Sequence, residues 1–193
     1  HLWEVTHYNW VPEYRLLTTD DLMSRVGLSR YSIPTVTGDF GTDAKPLFLD
    51  PYILGVYLGD GSTVSGAVSI STADQEIVQA LVEYLGDDCL RYDGKYGYFV
   101  RDGGQVAGYL RALGLFGLRS YERFVPEAYL KGSRETRLGV LQGLLDTDGY
   151  VGEGGQIEYC TTSYKLAVHV QQLVWSLGGM CRLKVKPRSG YRD

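Results

Sequence analysis

The chain's 193 residues suffice for one substantial domain with an appendage, and 44% hydrophobic residues, 22% charged residues and a net charge of −4 describe an ordinary globular protein rather than an evident nucleic-acid binder. No apolar run approaches the roughly 18–20 residues that span a bilayer and no signal peptide opens the chain, so no membrane partner is expected. The three cysteines, Cys89, Cys160 and Cys181, are odd in number and lack C-x-x-C spacing, which argues against a metal-ligand or disulfide framework and predicts small buried thiols in a reducing, intracellular compartment.

Residues 1–49 read as an irregular lead-in. His1 to Val5 predicts a strand, Thr18-Thr-Asp-Asp-Leu22 a short capped helix, and the Gly, Pro, Ser and Thr residues between Ser29 and Pro46 a linker. Pro51 is suited to open a helix, and from there one unit runs through the chain twice. Repeat one, about 50–130, begins with Tyr52-Ile-Leu-Gly-Val-Tyr-Leu-Gly-Asp-Gly61. An extended stretch over 62–71 follows, then Thr72-Ala-Asp-Gln75 as a capping box. The next helix carries Ile77, Val78, Leu81, Tyr84 and Leu85 on one face and stops at Gly86. Two short strands, 89–92 and 96–101, flank an Asp93-Gly94 hairpin signal, and a further helix spans 105–113.

Repeat two, about 134–193, keeps this order. Leu138-Gly-Val-Leu-Gln-Gly-Leu-Leu-Asp-Thr-Asp-Gly149 is a helix ending in Asp-Gly. The stretch 150–162 is extended, and 163–177 is a helix with Leu166, Val170, Leu173, Val174 and Leu177 on one face. Met180 to Pro187 predicts a strand in a segment rich in cations, with Arg182, Lys184, Lys186, Arg188 and Arg192 and no acid among them up to Arg192. A locally basic face can coexist with an acidic whole.

Chemistry concentrates at the two opening helices. Gly55 and Gly59 lie four apart, as do Gly139 and Gly143, so each helix has a strip without side chains and the two can pack closely. Packed together, they bring Asp60 and Asp148 side by side at two negative dipole ends, an arrangement that calls for a divalent cation. All-oxygen ligands suit Mg2+, with Mn2+ as the alternative. One Asp-Gly after a helix is usually only a cap and turn; two, each after a glycine-bearing apolar helix and each followed by a hairpin signal, point to a site. Asp146 has no acidic counterpart in repeat one, where Leu58 aligns, and reads as structural. The histidines His7 and His169 show no partner spacing.

These residues resemble a known family. Ile53-Leu-Gly-Val-Tyr-Leu-Gly-Asp-Gly61 and Leu141-Gln-Gly-Leu-Leu-Asp-Thr-Asp-Gly149 are similar to the two namesake motifs of monomeric LAGLIDADG homing endonucleases, and the form Asp50-Pro-Tyr-Ile-Leu-Gly-Val-Tyr-Leu-Gly-Asp-Gly-Ser62 is like intein-borne members. The resemblance covers about residues 50–187. It implies an α/β (α+β) pseudo-twofold fold of two αββαββα-like repeats with antiparallel saddle sheets gripping double-stranded DNA, the second repeat incomplete. By position, Asp60 and Asp148 become catalytic metal ligands, with Gly59 and Thr147, immediately before them, at the metal as well. Arg123, in Arg123-Phe-Val-Pro126, takes the place of a catalytic basic residue that is usually lysine; arginine stabilises phosphate charge but shuttles protons poorly. The equivalent in repeat two would fall beyond Asp193, and the chain ends lack the residues a self-splicing intein needs.

The implied function is site-specific, metal-dependent hydrolysis of both strands of duplex DNA by a monomeric pseudo-dimer, located in the cytoplasm or at the nucleoid and carried by a host protein. The alternatives are a catalytically inactive nucleic-acid-binding module, either regulator or maturase, and an inert insert in a protein-splicing intein. For DNA contact, Lys95 and Arg101 form a mixed row with Phe99. Gln156 and Glu158 share a face, and Arg182, Lys184 and Lys186 alternate with Leu183 and Val185.

Overall fold

The computed structural model describes residues 1–7, 13–25, 27, 30–34, 41 and 46–186. The chain divides into two compact units, His1–Gly38 and Asp39–Asp193. In the first, β1 (Leu2–His7) lies between β2 (Arg15–Thr18) and β3 (Tyr31–Ser32) in an antiparallel sheet. Thr18 caps α1 (Thr19–Met23) reciprocally with Asp21, as Thr-x-x-Asp spacing requires. Val5 is fully buried, whereas Leu2, Leu16, Met23 and Ile33 are exposed.

The second unit is built on two helices. Asp50 caps α2 (Pro51–Asp60) by accepting from the Tyr52 and Ile53 amides at 2.9 and 3.2 Å, with Pro51 in the first turn. Every residue from Ile53 to Leu58 is buried, so α2 has no solvent face and is a central core helix. It leads into β4 (Gly61–Ser62), β5 (Ser69–Ser71), α3 (Gln75–Leu85), β6 (Leu90–Tyr92), β7 (Gly97–Val100), α4 (Gln105–Ala112) and the single turn α5 (Glu127–Leu130). The four strands form an antiparallel sheet in the order β4-β5-β7-β6. Beneath the sheet, Ile70 packs with Ile53, Val56, Ile77 and Leu81 in one core cluster. The α3 cap is Asp74, which accepts from the Glu76 amide at 2.8 Å; Thr72 stands two residues earlier and accepts from the Asp74 amide, so the expected Thr72–Gln75 capping box is replaced by an Asp cap.

Repeat two comprises α6 (Arg134–Asp148), β8 (Gly149–Val151), β9 (Ile157–Tyr159) and α7 (Tyr164–Ser176). The main core joins α2, α4, α6 and α7 through Leu54, Leu58, Leu110, Val140, Leu144, Leu166 and Leu173. Burying each such side chain is worth roughly 1.5–3 kcal/mol. Residues 180–186 form no strand, contrary to the expectation for Met180–Pro187. In repeat one the equivalent strand, β6, exists because β7 pairs with it, and a counterpart of β7 would lie outside the described residues, as do Arg188 and Arg192. Two further expectations are corrected. Lys95 lies in the turn between β6 and β7, so Lys95, Phe99 and Arg101 do not share a strand row. Cys160 is exposed and Cys89 and Cys181 partly so, because Cys160 follows Tyr159 and points to the opposite side of the chain. No described helix is long and apolar enough to cross a membrane.

Candidate functional site

The two motif helices run parallel and nearly touch. A Cβ added at Gly55 would strike the Val140 carbonyl oxygen and lie 2.9 Å from the Gly143 Cα; one at Gly143 would strike the Tyr52 carbonyl. Only glycine permits this approach. Lower down, Gly59 lies against the Thr147 side chain, whose hydroxyl bonds back to the Gly143 and Leu144 carbonyls at 3.0 Å. The residues before the two acids are therefore in contact, and Asp60 and Asp148 end adjacent helices side by side. Neither following glycine adopts a left-handed cap: Gly61 and Gly149 have φ of −77° and −86°, and the chain turns straight into β4 and β8. Each Asp-Gly is thus a helix-to-strand corner carrying an acid. Asp146 is elsewhere, accepting a 3.0 Å hydrogen bond from the Tyr52 hydroxyl.

Electrostatically the pair is under load. Burial, and then repulsion from Asp148, push the Asp60 carboxyl up to about 6, with Arg123 pulling the other way. The Asp148 side chain stands more open to solvent, and its carboxyl is raised by burial and lowered by Arg123. Two carboxylates and the Thr147 carbonyl are hard oxygen donors that fit Mg2+ or Mn2+, whereas the Gly59 carbonyl, also expected at the metal, already accepts from Arg123 at 2.7 Å. Among the described residues no group of three or more His, Cys, Asp or Glu side chains could hold a metal, so the remaining ligands of such an ion would be water or substrate oxygens.

Arg123 is not at the surface. It is only 7% exposed, and it closes the C-terminal end of α2: one terminal nitrogen donates to the Leu58 and Gly59 carbonyls at 2.9 and 2.7 Å, the other to the Gly61 carbonyl. A guanidinium fork reaches three carbonyls at once, which an ammonium on one stem does less well. The segment bearing it is strapped to α7. Ser163 donates to the Arg123 carbonyl at 2.7 Å, the Val125 amide donates to His169 Nδ1 at 3.0 Å, and Lys165 lies 4.1 Å from the centre of the Phe124 ring. His169, without sequence partners, thus serves as an acceptor in this strap.

Among the described residues, the buried Arg123 Nε and Tyr159 hydroxyl lack a hydrogen-bond partner at ordinary length, although the Thr161 side chain lies close enough to the phenol to pull against its burial. Tyr159 lies opposite Gly149 in the β8–β9 pairing, directly after Asp148, and its phenol is held in the neutral form by burial and by Asp148. Sequence reading passed over it. The signal was available in the repeat: Gly61 pairs with Ile70, Gly149 with Tyr159, so a tyrosine fills a slot that repeat one fills with a buried aliphatic.

The expected DNA contacts are dispersed. On the sheet face opposite Ile70, pairing aligns Ser62, Ser69, Phe99 and Arg91; Arg91 was not anticipated. Arg101 lines a cleft of about 410 Å³ with Tyr84, Asp102, Gln105 and Tyr109. In repeat two, Glu158 pairs with Tyr150 on the face opposite Tyr159, while the Gln156 amide folds back over Gly152 and Gly154 at the hairpin tip. Arg182, Lys184 and Lys186 are exposed along a segment without regular structure.

Residues 135–193 match a family described as a LAGLIDADG-like domain. The chain is 34% identical over 149 residues, 77% of its length, to the replicative DNA helicase DnaB of Mycobacterium intracellulare, and 43% identical over 91 residues, 44% of its length, to that of Nostoc sp.. It is 47% identical over 58 residues, 28% of its length, to the ATP-dependent DNA helicase Hel308 of Thermococcus kodakarensis. These matches span 22%, 10% and 5% of the respective relatives.

Proposed function

We propose that the chain is a site-specific DNA endonuclease of the two-motif, monomeric LAGLIDADG type, in which residues 50–193 form the nuclease domain and residues 1–49 border it. The single observation carrying this reading is the pair of parallel glycine-packed helices that places Asp60 and Asp148 together at two helix ends. Asp60, Asp148 and the Thr147 carbonyl would hold Mg2+ or Mn2+, with the Gly59 carbonyl joining them only by giving up its bond from Arg123; the ion would supply an activated water and stabilise the leaving oxygen of the phosphodiester. The chain's own part is to hold the acids rigidly. Arg123 fixes the end of α2 and offsets the acids' mutual repulsion, and the sheet faces carrying Arg91 and Glu158, with the basic segment 182–186, would meet the DNA backbone and bases.

Two kinds of helicase share sequence with the chain over a small part of their length, a distribution expected of a mobile insert. This supports an intein-borne element in a host protein inside the cell, at the cytoplasm or nucleoid. Incubation with a randomised duplex library and Mg2+, reading out cut ends, is expected to yield one recurrent site. Intact DNA at saturating protein would overturn the reading. A second reading, an inactive nucleic-acid-binding module, is favoured by one observation: Arg123 is spent on backbone carbonyls rather than facing a phosphate. Plasmid nicking in Mg2+ separates the two.

A further inference from the structure

The contact between the motif helices keeps the repeat in its backbone and breaks it in its side chains. A Cβ at Gly55 would strike the Val140 carbonyl and one at Gly143 the Tyr52 carbonyl; between the repeats Gly55 aligns with Gly143 and Tyr52 with Val140. Leu58 aligns with Asp146, so the pair Tyr52–Asp146 is the counterpart of the pair Val140–Leu58. Val140 and Leu58 are buried in the main core. The Tyr52 hydroxyl instead donates to the Asp146 carboxylate at 3.0 Å in an exposed hydrogen bond, the one side-chain hydrogen bond between α2 and α6 among the described residues. Burial, and then the bond to Asp146, keep that hydroxyl in its protonated, donating form. The helix pair is thus closed by apolar packing on its core side and by a polar bond on its open side.

A strip of glycines lets two backbones touch but interlocks no side chains, so it resists sliding and rotation poorly. A hydrogen bond is directional and supplies what the strip lacks. Tyr52 stands in the first turn of α2 and Asp146 in the last turn of α6, level with a position six residues beyond Tyr52, roughly 9 Å at the helical rise. The bond therefore runs obliquely along the pair and opposes both motions. It acts on the turn that carries Asp148.

We propose that Tyr52 and Asp146 are a positioning pair, whose hydrogen bond sets the register of α6 against α2 and so the placement of Asp148 relative to Asp60. The proposal rests on the reading of the acid pair as a divalent-cation site, and it deepens that reading by adding two residues that stand outside the ligand set. Groups that orient a metal's ligands change metal affinity by about 10–100-fold when removed, without touching the metal. An exposed hydrogen bond contributes little to global stability, so its loss should show in metal binding rather than in melting.

The test uses the full chain and Mn2+ alone, without DNA, by calorimetric titration. Tyr52→Phe, which loses only the hydroxyl, is expected to bind Mn2+ about 10-fold more weakly, with a metal-free melting temperature within a few degrees of wild type. Asp146→Leu, which installs the residue of repeat one, should weaken binding at least as much, and the double variant no further than Asp146→Leu alone. Asp146→Asn removes the same charge but keeps an oxygen to accept from Tyr52, and should bind nearly as wild type does. Unchanged Mn2+ affinity in Tyr52→Phe overturns the proposal while leaving the cation site standing. So does a loss in Asp146→Asn equal to that in Asp146→Leu, which would assign the effect to charge, and so do losses that multiply in the double variant. If Asp146→Leu fails to fold, Tyr52→Phe and Asp146→Asn decide between them. Wild type that binds no Mn2+ overturns both the positioning pair and the cation site. Wild type that binds Mn2+ with the expected Tyr52 effect yet cuts no DNA leaves the pair standing and removes only the nuclease reading.

Discussion

Repeat one and repeat two share a plan and differ at the positions that touch the acids. Where repeat one has Leu58, Gly59 and Ile70, repeat two has Asp146, Thr147 and Tyr159; where repeat one has a four-stranded sheet, the described part of repeat two has a two-stranded one. The shared part, Gly55 against Gly143, is what brings the helices together. The differing part decides how each acid is held. Symmetry builds the pocket, and departures from symmetry tune it.

The largest effect should come from breaking the shared part. Gly143→Leu drives a side chain into the Tyr52 carbonyl, where backbone on both sides cannot yield, and is expected to cost more than about 3 kcal/mol in thermal unfolding. Gly139→Ala, whose Cβ would lie 3.0 Å from a Pro51 side-chain atom, should cost far less. Equal losses would show that the helices do not meet at Gly143. Next comes the arginine that serves repeat one: Arg123→Ala should slow single-turnover cleavage about 10-fold or more, because the end of α2 loses its donors and the acids lose a cation that offsets their charge. Arg123→Lys should recover only part of the rate, since one ammonium cannot reach three carbonyls. A wild-type rate in Arg123→Ala would reduce its role to packing.

Inequivalence of the acids should also appear in metal-free stability. The Asp60 carboxyl sits near 6 in the fold against an ordinary 3.8, so its contribution favours folding fully below about pH 4 and is lost as pH rises through 6. Asp60→Asn should therefore stabilise the metal-free protein at pH 7 by about 1 kcal/mol, a figure discounted for solvent screening because Asp60 is only partly buried. Asp148→Asn should do less, since that side chain is more open. Denaturant melts at pH 4 and pH 7 check the difference; no pH-dependent gain in Asp60→Asn would contradict it. The smallest effect concerns the basic segment. Replacing Arg182, Lys184 and Lys186 with Gln should flatten the salt dependence of DNA binding by about 2–3 units if each neutralises a phosphate. An unchanged slope would leave the segment facing solvent.

Much of the helix pair was legible in the sequence, because glycines four apart and a terminal acid are local patterns that recur. Asp50-Pro51 and the stop at Gly86 were equally local. Less accessible was everything set by pairing across the chain. Met180 to Pro187 alternates like a strand but has no partner within the described residues, and Lys95 falls in a turn whose register depends on β7. Arg123 read as a basic residue set to stabilise phosphate charge; its burial follows from the Leu58, Gly59 and Gly61 carbonyls at the end of α2, about 60 residues earlier, that need donors. Tyr159 was missed because Gly149, and with it the preceding Asp148, is brought beside it only by the β8–β9 hairpin.

The central claim is that Asp60 and Asp148 act as one pair. Cleavage and DNA binding should be measured on the same preparations of Asp60→Asn and Asp148→Asn with a cleavable duplex in Mg2+. Each substitution is predicted to abolish double-strand cleavage while leaving DNA affinity largely intact, because a lost metal ligand does not remove phosphate contacts made by distant strands. Wild-type cleavage by either variant would contradict the account.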